Sequence, residues 1–244
     1  MTALVLQGRL DSTRLPGKSL LPLDGEPLIF RVMEALSFVP CDLHVLACPE
    51  DCEPSFRPLA ERAGFELCTG SKEDVLARYC AVITRYSPDR VIRATADNPF
   101  VFADAARQLA EEAAALNADY AGYAGLPLGA GVEAASAEAL LRAEREAQKP
   151  EEREHVCPYL YGHPELFRLH RPLAPLKWRQ SADKQTNLQQ SAEKQPAVKQ
   201  PPLRLTVDTP EDYRRAQELY RTLNEKTAGG DRCLGTKILE AASP

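Results

Sequence analysis

The chain has 244 residues, of which 44% are apolar and 27% charged, and it carries a formal charge of −5. That length can bury the core of one large α/β domain, and the acidic balance argues against a nucleic-acid partner. No apolar run approaches the roughly 20 residues that span a bilayer, and the first apolar stretch is too short for a secretion signal, so the expected location is cytoplasmic with no membrane partner.

Strands and helices are predicted to alternate along the chain. A strand over residues 3–7 leads through a basic loop to a helix over 27–38. A strand over 43–48, a helix over 56–63 stopped by Gly64, and a short strand over 65–69 follow. Ser71, with Asp74 three residues on, predicts the cap of a helix that runs to about residue 86, ahead of Pro88. Next come a strand over 89–94, an Ala-rich helix over 102–117 and a strand over 119–124. Helical patterns then cover 136–148 and 150–162, the second with Pro158 inside it. A late strand over 203–207 and a helix over 210–224, begun by Pro210, complete the pattern. Repeated βα units predict a mostly parallel sheet with helices on both faces.

One stretch and the set of cysteines stand apart. From 180 to 202 there are no aromatics and a near-duplicate, Gln180-Ser-Ala-Asp-Lys-Gln185 and Gln190-Ser-Ala-Glu-Lys-Gln195. Such a composition buries too little apolar surface to offset an ordering entropy of roughly 1–2 kcal/mol per residue, and predicts a mobile insertion. The seven cysteines include no C-x-x-C pair, and no His cluster accompanies Cys48 and Cys52, which predicts reduced thiols rather than zinc. Cys157, two residues from His155, is the one thiol with a conceivable catalytic neighbour, although positions two apart on a helix point to different faces.

The segment from Gln7 to Lys18 is the most informative. It joins a strand to a helix and carries Arg9, Arg14 and Lys18 against a single acid, Asp11. Clustered cations and free amides at the C-terminal end of a strand are how α/β folds hold phosphates. Pro16-Gly17-Lys18-Ser19 imitates the end of a Walker A loop, but the required first glycine is Ser12 and Pro16 removes an amide. No G-x-G-x-x-G follows a strand, so a dinucleotide fingerprint is absent as well.

Two acids complement the cations. Asp97 follows the strand over 89–94 and Asp208 follows the strand over 203–207, so both reach the sheet edge where open α/β folds bind ligands. Converging carboxylates make a hard oxygen site suited to Mg²⁺. Each also has a structural reading: Asp97 as a turn residue before Pro99, and Asp208 near the cap of the helix starting at Pro210. Arg93 is costly to bury without an anion, which suggests a phosphate or carboxylate contact.

The loop Gln7-x-Arg9-x-x-Ser12-Thr-Arg-Leu-Pro-Gly-Lys18 resembles that of the cytidylyltransferases of spore-coat polysaccharide (SpsF) type, relatives of the acylneuraminate and Kdo cytidylyltransferases. Four further blocks agree in order: Gly70-Ser-Lys-Glu-Asp74-Val-Leu-Ala-Arg78-Tyr79, Arg93-Ala-Thr-Ala-Asp97-Asn-Pro99, Glu152-Arg-Glu154-His155-Val-x-Pro158-Tyr159 and Arg204-Leu-Thr-Val-Asp208-Thr-Pro-Glu-Asp212. The chain departs from the family at Gly8 and Asp11, and at Gly131, where an Asp often precedes the Val132-Glu133 pair.

The resemblance implies a single nucleotidyltransferase domain over 1–244 with a three-layer, Rossmann-like nucleotide-diphospho-sugar transferase (GT-A-like) fold. It also implies transfer of CMP from CTP to an acidic sugar or small phosphorylated acceptor, with pyrophosphate released. Such chemistry belongs to surface polysaccharide or glycoconjugate synthesis.

On this reading Asp97 and Asp208 hold Mg²⁺, and Arg14 and Lys18 act with them in catalysis. Gln7, Gly8, Arg9, Ser12, Thr13, Asp74 and Arg93 join Arg14 and Lys18 around the nucleotide. Arg78, Glu133, Arg153 and His155 take the acceptor. Asp74 and Arg78, four apart, have an alternative as an intrahelical ion pair, and the cluster around His155 as surface ion pairs. Relatives are commonly dimers, so a homodimer is allowed. A uridylyl- or guanylyltransferase, or a non-catalytic nucleotide-binding regulatory subunit, are the rival readings.

Overall fold

The computed structural model describes residues 1–180, 202–227 and 229–243, so the segment 181–201, which is most of the insertion expected over 180–202, lies outside the described residues. Gln180 and Leu203, which flank it, are joined by a bond from the Leu203 amide to Gln180 Oε1 (2.9 Å).

Thr2–Gln7 (β1) is apolar along its length because both faces are covered. Leu4 and Leu6 point into one core and Ala3 and Val5 into the other. Leu43–Pro49 (β4) and Glu66–Gly70 (β5) extend the sheet parallel on one side of β1, after the small hairpin Pro22–Leu23 (β2) and Glu26–Pro27 (β3). Arg90–Thr95 (β6) pairs parallel on the other side of β1. Beyond it lie Glu133–Ser136 (β8), Tyr120–Gly122 (β7) and Leu169–His170 (β9), giving the order β5-β4-β1-β6-β8-β7-β9 with β8 alone reversed. The chain runs outward from β1 through β4 to β5, then returns to β6. Strand order therefore reverses between β1 and β6, which opens a crevice at their C-terminal ends.

Leu28–Leu36 (α1), Glu53–Ala63 (α2), Ala103–Ala115 (α4), Pro210–Lys226 (α8) and Gly235–Ala242 (α9) contribute to the core that takes Leu4 and Leu6. Val75–Tyr86 (α3), Ala137–Glu146 (α5) and Pro158–Gly162 (α7) contribute to the other, and Pro150–His155 (α6) is tied to α3 through Arg153 and Asp74. Three layers result, as the alternating pattern predicts. Helix starts follow local chemistry. Asp74 caps α3 by accepting from the Ala77 amide (2.9 Å), while Ser71 Oγ accepts from Asp74 itself, so the cap sits one turn later than expected.

Several elements differ from expectation. The helical pattern over 150–162 is two helices, because Val156 adopts φ 71°, ψ −56° and the Cys157 amide bonds the His155 carbonyl (2.8 Å). This is a γ-turn, a strained conformation for a β-branched residue. The strand expected over 203–207 is instead an extended segment, because its neighbours are loops rather than a strand. The Leu205 amide bonds the Leu128 carbonyl and the Val207 amide bonds the Asp97 carbonyl, both at 2.8 Å. Gly129 permits this approach. Its φ of +92° suits glycine, and a Cβ there would lie 2.6 Å from the Thr206 nitrogen. Strand β8 and helix α9 were not anticipated.

Candidate active site

A cleft of about 290 Å³ lies at the reversal between β1 and β6. The register of these strands sets Gln7 beside Thr95, so Gly8 and Asp97 emerge from the same edge. The loop after β1 is tied down from within. The Ser12 and Gly17 amides bond the Leu10 carbonyl (3.0 and 3.2 Å), and Ser19 Oγ donates to the Arg9 carbonyl (2.9 Å). Gly17 turns the chain with φ 67°, which delivers Lys18 inward at the start of a short 3₁₀ turn.

Lys18 Nζ lies 2.9 Å from each of three oxygens: Asp97 Oδ2, Asp208 Oδ1 and the Val207 carbonyl. Its three donors are thereby matched to three acceptors on two distant stretches of chain. Arg14 adds a second cation to Asp208 (3.0 Å), and Arg204 a third through Asp208 Oδ2. Asp208 is itself held by Asp212, whose carboxylate accepts from the Asp208 and Thr209 amides (3.1 and 3.0 Å) in the capping box of α8. Burial opposes the charge of Asp212, but those bonds and nearby Arg204 outweigh it and hold the pKa of Asp212 below its usual value. Asp97 and Asp208 thus meet as expected, around an internal cation.

Among the described residues no group of three His, Cys, Asp or Glu side chains gathers as a metal cluster. Two carboxylates and a carbonyl oxygen, with neither thiolate nor imidazole among them, nevertheless fit a hard cation that keeps several of its waters, as Mg²⁺ does.

Most of the predicted residues line one of two cavities, and Asp74 and Arg153 line neither. Gln7, Gly8, Arg9, Ser12, Thr13, Arg14, Lys18, Arg78, Arg93, Asp97, His155 and Asp208 all line the cleft. Arg78 is only 2% exposed and lies under the loop, its guanidinium bonding the Gly8 and Lys72 carbonyls (3.5 and 3.4 Å). Burial lowers its basicity. Asp11 pairs with Lys72 (3.2 Å) and more loosely with Arg9 (3.9 Å), so its charge is compensated by two cations. Asp74 and Arg153 do not line the cleft; they pair with each other across the α3–α6 contact (2.5 Å), where the one caps α3 and the other also bonds the Glu144 and Ala147 carbonyls.

Glu133 faces an adjoining cavity of about 320 Å³ that shares Arg93 and Thr95 with the cleft. Arg93, expected to seek a ligand anion, finds one within the protein: it donates to Glu133 Oε2 (2.6 Å) and to Gln7 Oε1 (3.1 Å). Burial opposes its charge, but Glu133 more than compensates and the guanidinium is held above its ordinary range. The Tyr120 hydroxyl occupies the other Glu133 oxygen (2.7 Å). Arg171 lines the same cavity and stacks over the Tyr161 ring, with Tyr161 against Tyr120. Sequence reasoning missed Arg171, Asp212 and the Val207 carbonyl; Asp212 alone carried a signal, the Thr-x-x-Asp spacing that predicts a capping box.

The Cys157 thiol is buried, and burial together with Glu133 pushes it well above the range of a reactive cysteine, which removes it as a nucleophile. All seven cysteines are unpaired.

A family model described as cytidylyltransferase matches residues 3–232. The chain is 30% identical over 230 residues to the spore coat polysaccharide biosynthesis protein SpsF of Bacillus subtilis (strain 168), covering 91% of this chain and 87% of that protein. Among solved structures it is similar to a cytidylyltransferase from Leptospira borgpetersenii, with a TM-score of 0.78 at 22% identity, over 98% of this chain and 92% of that one. It also resembles the CMP:2-keto-3-deoxy-manno-octonic acid synthetase complexed with CTP, with a TM-score of 0.64 at 15% identity, over 93% and 99% of the two chains. The three-layer architecture is therefore the Rossmann-like nucleotidyltransferase fold.

Proposed function

The chain belongs to the cytidylyltransferase family, and on that premise we propose that it transfers CMP from CTP to an acidic sugar or small phosphorylated acceptor. The observation that carries the reading is the convergence of Lys18 on Asp97, Asp208 and the Val207 carbonyl at the reversal of the sheet. Asp97 and Asp208 are the residues that would hold Mg²⁺, which when bound supplies charge neutralisation at the reacting phosphate.

Arg9, Arg14 and Lys18 hold the β- and γ-phosphates and the departing pyrophosphate. Arg78 supports their loop from below. The Gln7 amide oxygen is engaged by Arg93 Nε, a donor, so its NH₂ group is left to donate to a pyrimidine acceptor. The adjoining cavity takes the acceptor, with Arg171 as its cationic contact and Arg93–Glu133 as the wall between the two ligands. An acceptor oxygen attacks the α-phosphorus, the bond to the β-phosphate oxygen breaks, and pyrophosphate leaves. Where the attacking oxygen is a hydroxyl, His155, which lines the cleft, receives its proton. Positioning and charge account for the catalysis, with no protein nucleophile. The enzyme works in a reducing cytoplasm, in line with its unpaired thiols.

The test is pyrophosphate release with CTP, Mg²⁺ and a panel of keto-acid sugars and phosphorylated acceptors. Turnover with CTP and one such acceptor is expected. Turnover with UTP or GTP instead, or CTP binding with no pyrophosphate from any acceptor, would contradict the proposal.

A further inference from the structure

We propose that Lys18 is the resident counter-cation of the metal site, so that a divalent cation enters only as its complex with the nucleoside triphosphate and displaces Lys18 onto the phosphates as it does so. This rests on the reading of Asp97 and Asp208 as the metal carboxylates.

Three features support the exchange. The Lys18 ammonium is saturated by three oxygens at 2.9 Å, and those oxygens are the same set a divalent cation would use. Lys18 and Asp208 are each only 13% exposed at the side chain, so the contact is poorly screened by water. The surroundings are already cationic, because Arg14 and Arg204 also reach Asp208. A bare divalent ion entering this triad meets an ammonium, must strip it of its acceptors, and leaves it without a partner anion. A triphosphate arriving with the ion removes that penalty by giving the ammonium new acceptors. The backbone need not move, since Ser19 pins the loop to Arg9 and the four-carbon lysine stem can swing. Coupling of this kind is reciprocal: nucleotide strengthens metal binding, and metal strengthens nucleotide binding by the same factor.

Mn²⁺ binding followed by electron paramagnetic resonance, without nucleotide, tests the exchange apart from activity. Lys18→Met is expected to bind free Mn²⁺ at least tenfold more tightly than the wild type, and CTP should raise Mn²⁺ affinity far more in the wild type than in the variant. A second measurement needs no variant: the Lys18 ammonium resonance of ¹⁵N-labelled wild-type protein should be unchanged by Mg²⁺ alone and shift when Mg²⁺ and CTP are added together. Equal free Mn²⁺ affinity in wild type and variant, or a Lys18 resonance unmoved by bound Mg²⁺–CTP, would overturn the exchange while leaving the proposed function intact. Failure of the wild type to retain Mn²⁺ in the presence of CTP would overturn the functional reading, and the exchange with it.

Discussion

Asp97 and Glu133 illustrate how two carboxylates near one cleft come to have different duties. Asp97 shares its Lys18 contact with two other oxygens, so changing it to Asn leaves the ammonium supported by Asp208 and Val207. Asp97→Asn should therefore fold, with a melting temperature within about 2–4 °C of the wild type, a shift corresponding to about 1 kcal/mol. Its pyrophosphate release should fall by about a thousandfold, the scale on which loss of one electrostatic contact at a reacting centre is felt. An unchanged rate would remove Asp97 from the mechanism. Glu133 instead neutralises Arg93, whose side chain is only 15% exposed between the cavities. Glu133→Gln should cost about 3 kcal/mol in urea unfolding, because it strands a buried guanidinium, and a second change of Arg93→Gln should recover part of that loss. The loop cations and strand-end acids were legible in the sequence because charged residues after apolar runs mark sheet edges. The Arg93–Glu133 pair was not, since the partners are 40 positions apart and meet only through the antiparallel pairing of β6 and β8.

At the scale of elements, the start of α8 does more than begin a helix. Thr209 and Asp212 close a reciprocal capping box, and Asp212 also bonds the Asp208 amide, so the cap fixes the backbone that presents Asp208 to Lys18. Asp212→Ala should destabilise the protein by about 1–2 kcal/mol at pH 7, as lost caps do, and should also lower turnover by loosening Asp208. The sign of the pH dependence follows from the lowered pKa of Asp212. Its stabilisation is fully present above the unfolded value of about 3.9 and is lost as pH falls through the lower folded value. The stability gap between wild type and variant should then narrow below about pH 4; a gap constant down to pH 2 would show that ionised Asp212 is not the cap.

Long amphipathic helices and the apolar strands β1, β4 and β6 were readable from periodicity. Strand β8 was not, because Glu133-Ala-Ala-Ser136 is poor in β-branched and aromatic residues and runs straight into α5. The break at Val156 was hidden for a different reason: nothing local favours positive φ there, and tertiary packing of a fully buried valine imposes it. The extended segment after Leu203 had the composition of a strand, but a loop lies beside it.

Across the whole molecule, sheet order decides where chemistry can occur. The reversal between β1 and β6 gathers a loop from the first 20 residues, the end of β6, the last residues of α6 and the segment before α8 into one cleft. Alternating βα units make the parallel sheet legible in advance, and ligand binding at its C-terminal edge follows. The division into two cavities was not legible. It depends on Arg93, which lies between them and is fixed from both sides by Gln7 and Glu133. Asp74, expected beside the nucleotide, and Arg153, expected beside the acceptor, instead serve the α3–α6 contact, while Arg171 lines the second cavity.

Calorimetric titration of CTP into the wild type and Asp208→Asn, with Mg²⁺ present, tests the central claim most directly. The wild type should bind one CTP per chain, more tightly than UTP or GTP, and the Asn variant should bind it at least tenfold more weakly, about 1.4 kcal/mol. Equal affinity in the two proteins, or no binding of any nucleoside triphosphate by the wild type, would contradict a nucleotide–metal site built on Lys18, Asp97 and Asp208.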